Sequence, residues 1–324
     1  MSNALRSPIL WLIFRRIGGA VLVLFGATLL TFVLMNVISG GAAQQILGPD
    51  ATAEQIAQLE AKLGLDQPPL NRYLGWLGGT LTGNFGTSLT SGQPVSAIIA
   101  SRAPVSFELV LLAFLLGVIC AFPVALMAAR KPGGVADRIG MAVSVSGLSI
   151  AGYVVALVLV LVFAVNLRLF PAIGYIPISK GLGPNLWSLA LPAIAMALPG
   201  FAFYARFLRG DLIEQMQQDY ALVAKSKGLP PGRVLVFHAL RNSLTGLLTV
   251  VALNLGALIG STVIMEQIFG LPGIGKLLLE GIVNRDIAVV QACVLIFAAI
   301  VVVANLAVDI LYAVIDPRIR HGRD

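Results

Sequence analysis

The sequence predicts an all-α membrane protein with six transmembrane helices and a small external domain between the first two. Three observations carry this reading. Hydrophobic residues make up 58% of the 324-residue chain and charged residues 11%, against about 25% charged in soluble domains. Lipid must therefore be the solvent for much of the surface. Six apolar runs each approach or exceed the ~20 residues that a helical span needs. The basic residues are sorted by side: with the N-terminus inside, fifteen of the 22 Lys and Arg fall in cytoplasmic segments, which is the positive-inside bias. Lys62, Arg72, Arg102, Arg168, Lys180, Lys276 and Arg285 are the seven left outside. The layout is multi-pass in the lipid bilayer, with both termini cytoplasmic. The net charge of +7 follows this sidedness and does not cluster with aromatics, which argues against nucleic acid as a partner.

Residues 1–16 form a short basic head ending in Arg15 and Arg16. The apolar run 17–38 that follows is about 33 Å long as a helix, too long for the 7–15 residue core of a signal peptide. Residues 1–38 are thus the cytoplasmic N-terminus and first transmembrane helix. Residues 39–101 regain acid, amide, Gly and Pro and form the external domain. In it, 53–63 is an amphipathic helix with Ile56, Leu59 and Leu63 on one face, Thr52 as N-cap and Gly64 as stop. Tyr73 and Trp76 suit a lipid–water interface. Residues 102–316 hold helices two to six, in apolar runs at about 104–130, 138–166, 187–209, 244–267 and 287–315; 317–324 is a cytoplasmic tail. Pro123, Pro192 and Pro199 predict kinks, and Gly256 with Gly260 predicts close helix approach. Cys120 and Cys293 lie in apolar runs and are expected as two buried thiols without a disulfide.

The polar stretch 211–242 interrupts this apolar series. Its first half has helical spacing, with Leu222, Val223 and Ala224 on one stripe. Gly228 stops that helix, because glycine takes the left-handed C-terminal position without strain. Pro230 and Pro231 forbid continuation and suit the first turn of a second helix, 232–241. The prediction is a helix, a tight turn and a second helix on the cytoplasmic membrane surface.

Catalytic chemistry is missing. His238 and His321 have no metal-ligand partners at helical spacing, so no metal site is predicted, and no nucleophile motif is present. Gly270-Leu-Pro-Gly-Ile-Gly275-Lys276 imitates a phosphate loop, but Leu277 replaces the hydroxyl residue that would ligate magnesium. It reads as a Gly/Pro turn leading into a short surface helix, 274–282. Asp309 is the clearest ionisable residue within a span; an intramembrane acid is a functional candidate, and its nearness to Asp316 favours an interfacial, structural place over that role. With no acid relay and no inverted repeat, neither an ion-coupled carrier nor a membrane enzyme fits. The energy source is predicted to be another subunit.

Several motifs name a family. Asp219-Tyr220, Ala224, Ser226-Lys227-Gly228-Leu229 and His238-Ala-Leu-Arg241-Asn242 fall in the polar stretch. Glu266, Ile268-Phe269-Gly-Leu-Pro272-Gly273-Ile-Gly275, then Asn284-Arg-Asp286 with Val290-Gln291, then Asp309, Tyr312 and Asp316-Pro-Arg-Ile-Arg320 follow in order. Upstream, the 53–66 stretch and Gly83-Asn-Phe-Gly-Thr-Ser88 agree. Together, over nearly the whole chain, these resemble the binding-protein-dependent ABC importer permeases of the dipeptide/oligopeptide/nickel group, in the B-type branch. The resemblance implies a type I importer permease fold. It also implies four kinds of partner: a second homologous permease, two ATPase domains, an external substrate-binding protein and the bilayer of a bacterial inner membrane. No cofactor would bind this chain; ATP and magnesium would sit in partner subunits. Asp219, Tyr220, Ala224, Lys227, Gly228, Leu229, His238, Arg241 and Asn242 would serve coupling to the ATPase. Glu266, Phe269, Pro272, Gly273 and Gly275 would serve an external gate or loop. Di- or oligopeptides are the implied cargo, with nickel or another small solute as the alternative; no helix shows the ligand set of a soft metal. Two departures stand out. Leu222-Val223-Ala224 replaces the family's Glu-Ala-Ala, with His238 and Arg241 in place of Ile and Pro. Ser39-Gly-Gly-Ala42 replaces Pro-Gly-Asp-Pro after the first helix.

Overall fold

The computed structural model describes residues 8–38, 47–48, 50–62 and 66–315. Ser39–Ala42, Leu63, Gly64, residues 316–324 and the Asp309 side chain lie outside what is described. Helix α1 spans Pro8–Ile38, with Pro8 at its first turn, where a missing N–H costs nothing. Helix α2, Ala53–Lys62, opens with a reciprocal capping box: Gln55 N–H donates to Thr52 Oγ1 at 3.3 Å, and Thr52 N–H to Gln55 Oε1 at 3.0 Å. Helix α3, Pro69–Leu81, escapes the sequence reading, although Pro69 at its start was the signal.

Helix α4 runs Val95–Arg130, starting well before the predicted 104. Val95 and Ile99, one turn apart, are buried and draw this extra length into a core. The predicted span 138–166 is two helices, α5 (Val135–Ser149) and α6 (Gly152–Asn166), bent by 103°. Ile150 and Ala151 between them take extended backbone, ψ 127° and 134°. The composition stays apolar across this break, so nothing in hydropathy reveals it. Helix α7, Leu182–Gln215, carries Pro192 and Pro199 inside it. Then come α8 (Asp219–Ser226), α9 (Pro231–Ile268), α10 (Ile274–Val283) and α11 (Ile287–Ile315). Among the described residues, five helices are long and apolar enough to cross a membrane, or six if the bent α5–α6 pair counts as one span.

The chain packs as two units, one built on Val105–Leu271 with the segment from Val301, the other on Ile13–Pro104 with Pro272–Ile300. In the first, α7 packs on α5, α6 and α9. Gly147 permits a close approach of α5 to α7, since a Cβ there would lie 3.1 Å from Ala202 Cβ. Asp137, buried on α5, accepts Arg209 from α7 through both carboxylate oxygens and also the Gly133 N–H at 2.8 Å. That bidentate pairing satisfies a charge which burial would otherwise make costly. Tyr175, in the loop before α7, donates to Glu108 at 2.8 Å. Burial, reinforced by that carboxylate, pushes its phenol up to about 12, so it remains a donor at physiological pH.

In the second unit, Tyr73 is not interfacial. It is 2% exposed, with its ring 5.9 Å from Phe25 and 5.3 Å from Phe32 and its hydroxyl 2.9 Å from Thr28. Trp76 stacks on it, with Nε1 sealed from solvent. Arg72 donates to Asn36 at 3.1 Å, and burial lowers its pKa from the usual guanidinium value. Helix α10 is not a surface helix either: Ile274 and Leu277 pack with Val95, Ile99 and Val289. Its apolar stripe accounts for this. Cys293 is buried in the same cluster as expected, but Cys120 is exposed on α4. An apolar helix need not hide every face from protein-free surroundings when lipid is its solvent. A Cβ on Gly256 would lie 3.8 Å from Val301 Cγ1, whereas one on Gly260 would meet nothing within 4 Å.

Candidate functional site

The polar stretch is built around α8. The long helix α7 continues through 211–215 and breaks at Met216–Gln218, so the predicted first helix is shorter and separate. Asp219, in the first turn of α8, complements the positive end of the helix dipole. At the other end, Gly228 takes φ +82°, Gly228 N–H donates to Lys225 O at 2.9 Å, and Leu229 N–H donates to Ala224 O at 3.2 Å. This pair of bonds is the Schellman arrangement, which satisfies two end carbonyls and needs a left-handed residue at Gly228.

Helix α8 is tied back to the end of α7. Tyr220 Oη donates to Gln215 Oε1 at 2.7 Å, and Lys225 Nζ donates to Met216 O at 3.0 Å, a cation on a helix C-terminus. Ala221 and Ala224 are buried with Val234, flanked by Tyr220 and Leu229. The predicted stripe of Leu222, Val223 and Ala224 is therefore split: Ala224 faces inward, while Leu222 and Val223 are 49% and 53% exposed. A single helix cannot bury both sets, and the small alanines allow the closer approach. Asp219, Lys227 and Gly228 are exposed beside Leu222 and Val223. Gln215, Met216 and Lys225 were missed in the sequence; a lysine in the last turn was the available sign.

Pro231 begins the next helix as predicted, but that helix does not stop at 241. It passes through a π-type turn at Leu235–Ala239 and runs on as α9. His238 stands in that turn, half-buried, its Nδ1 without a partner among the described residues. Arg241 and Asn242 are exposed on α9, and Phe237 is exposed at 68%. Ser243 is buried, so the polar run that looked like a helix end is accommodated inside the helix.

The other predicted group begins in the last turn of α9 and continues past its end. Glu266 is fully buried and accepts Ser106 Oγ at 2.5 Å. Phe269 is buried too, and its carbonyl accepts Gly174 N–H at 3.0 Å. Gly270, φ +63°, ends α9 with the same logic as Gly228: Leu271 N–H donates to Glu266 O at 2.9 Å. A Cβ there would also collide with Ile173 Cγ2 at 2.5 Å. Thus the first glycine of the false phosphate loop is a helix cap. Pro272, Gly273 and Gly275 belong to the second unit, where Gly273 is extended and precedes α10. In that unit Asp286 accepts Ser88 Oγ at 2.6 Å and receives Val289 N–H at 3.3 Å, so two separate sequence motifs meet in one place.

Comparison with known proteins places this geometry. Residues 113–321 match the family described as binding-protein-dependent transport system inner membrane component, and 9–110 match its N-terminal companion. A probable peptide ABC transporter permease protein, y4tP of Sinorhizobium fredii, is 34% identical over 309 residues, covering 95% of this chain and 99% of the relative. The oligopeptide transport system permease protein AppB of Bacillus subtilis is 35% identical over 312 residues, covering 95% and 99%. The di/tripeptide transport system permease protein DppB of Pseudomonas aeruginosa is 36% identical over 330 residues, covering 95% and 98%. Among solved structures, the inward-facing MetNI methionine ABC transporter matches with a TM-score of 0.56 at 16% identity, over 68% of this chain and 96% of that one, a likeness of fold. The chain belongs to the binding-protein-dependent transport system inner membrane component family: it has the type I permease fold and is a multi-pass inner-membrane permease subunit of an ABC importer, not an enzyme.

Proposed function

We propose that this chain and a second, homologous permease form a path through the membrane for di- and oligopeptides. An external binding protein delivers the cargo, and two ATPase domains, which hold ATP and magnesium, drive the cycle. Both termini and the α8 region are cytoplasmic in this reading. The cargo class is supported by the relatives named as peptide permeases. The coupling role is supported by one observation above the others: α8 presents Leu222 and Val223 to the outside while Tyr220 and Lys225 fasten it to α7. Two exposed aliphatic side chains gain about 1.5–3 kcal/mol each when fully buried, enough to hold a short helix in an apolar cleft. Because α8 is tied to α7, a push on α8 is passed to a long membrane helix and is not dissipated in a loop.

The test is uptake of a radiolabelled tripeptide by vesicles that contain the complete transporter. Uptake should require this chain, internal ATP and the loaded binding protein together. Uptake by the purified chain alone, driven by an ion gradient, would identify a self-sufficient carrier and overturn the reading.

A further inference from the structure

Within the unit built on Val105–Leu271, helices α6, α7 and α9 line an open-sided cavity of about 180 Å³. Gly152 at the start of α6, Ala195, Pro199 and Tyr204 on α7, and Asn254 and Ser261 on α9 are among its walls, and no charged side chain lines it. Two of the groups here are short of the partners that a hydrocarbon setting demands. Asn254 stands midway along an apolar span, carrying two donors and an acceptor. Its side chain is half-buried and has no hydrogen-bond partner among the described residues. A polar side chain within a span points to function. The second group is a main-chain carbonyl. Pro199 has no N–H, so the oxygen of Ala195, four residues earlier, loses its helical donor. Ala195 is buried, and its oxygen lies 3.8 Å from where a Cβ on Gly152 would stand. Ser261 already donates to Leu258 O at 2.7 Å, which leaves it as an acceptor.

We propose that this cavity is where the subunit holds its cargo within the membrane, and that it recognises the uncharged amide unit of a peptide main chain. The inference rests on reading the chain as a peptide permease. A peptide N–H would serve the Ala195 carbonyl, and a peptide C=O would accept from the Asn254 amide. With no charged wall, the site selects neither sign of cargo side chain by ion pairing, and every peptide offers the same amide.

The test uses the complete transporter in vesicles, with trialanine as cargo, reading peptide moved per ATP hydrolysed. Asn254→Leu keeps the size and removes the amide; it should lower that ratio about tenfold, the factor carried by one hydrogen bond. Pro199→Ala restores a helical donor to Ala195 and should lower the ratio similarly, although a purely structural proline would be replaced there without loss. An unchanged ratio in both variants, including a parallel fall of uptake and hydrolysis, overturns the site. If the unaltered complex moves another solute but no peptide, the functional reading falls and this site falls with it.

Discussion

At Gly228 a single backbone angle fixes the end of α8. A Cβ there would meet nothing within 4 Å, so substitution is penalised by the positive φ alone, by about 1–3 kcal/mol. Asparagine tolerates that angle and valine does not. Gly228→Val should insert normally yet lose both uptake and the stimulation of ATP hydrolysis by loaded binding protein, whereas Gly228→Asn should keep at least half of each. Equal behaviour of the two variants in a vesicle assay would show that the angle is irrelevant. Gly228 was legible in the sequence because its constraint is local: a helix must stop there and only glycine stops it cheaply. Tyr73 was not, because what buries it is Thr28 and Phe32, far away in sequence. The same holds for Asp137 with Arg209 and for Ser88 with Asp286, pairs that no spacing rule connects.

At the level of elements, periodicity located the long helices and failed at their interruptions. The α5–α6 bend is invisible because Ser149-Ile-Ala-Gly152 is as apolar as its surroundings. The reverse error occurred at 241–243, where polar residues suggested an end and the helix simply continued. On α8 the apolar positions were found, but not which of them faced outward, since that depends on what α7 and α9 present to it. The outward pair gives a direct expectation. Leu222→Asp, on an exposed position, should leave the permease in the membrane with its thermal midpoint within about 2 °C, because exposed substitutions cost little. Co-purification of the ATPase should fall at least tenfold, as a charge enters an apolar cleft. Retention of the ATPase at the normal ratio would remove α8 from the interface.

For the whole molecule, composition and charge bias made the class plain, and the order of spans followed from hydropathy. The expected sidedness can be checked with reporters. One inserted after Gly92 should be external and one after Gln217 cytoplasmic; both on one side would contradict the six-span order. What hydropathy did not reveal is that α9 is unbroken from the turn at Pro231 to Ile268. That continuity constrains length as much as chemistry. One residue inserted between Leu240 and Asn254 would rotate everything beyond it by about 100°, carrying Asn254 off the wall it shares with Ala195 while the α8 end stayed where it was. Permeases built this way can therefore drift in sequence along α9 but not in residue number, unless by close to whole turns. The π-type turn at Leu235–Ala239 is where α9 already carries a one-residue excess of this kind.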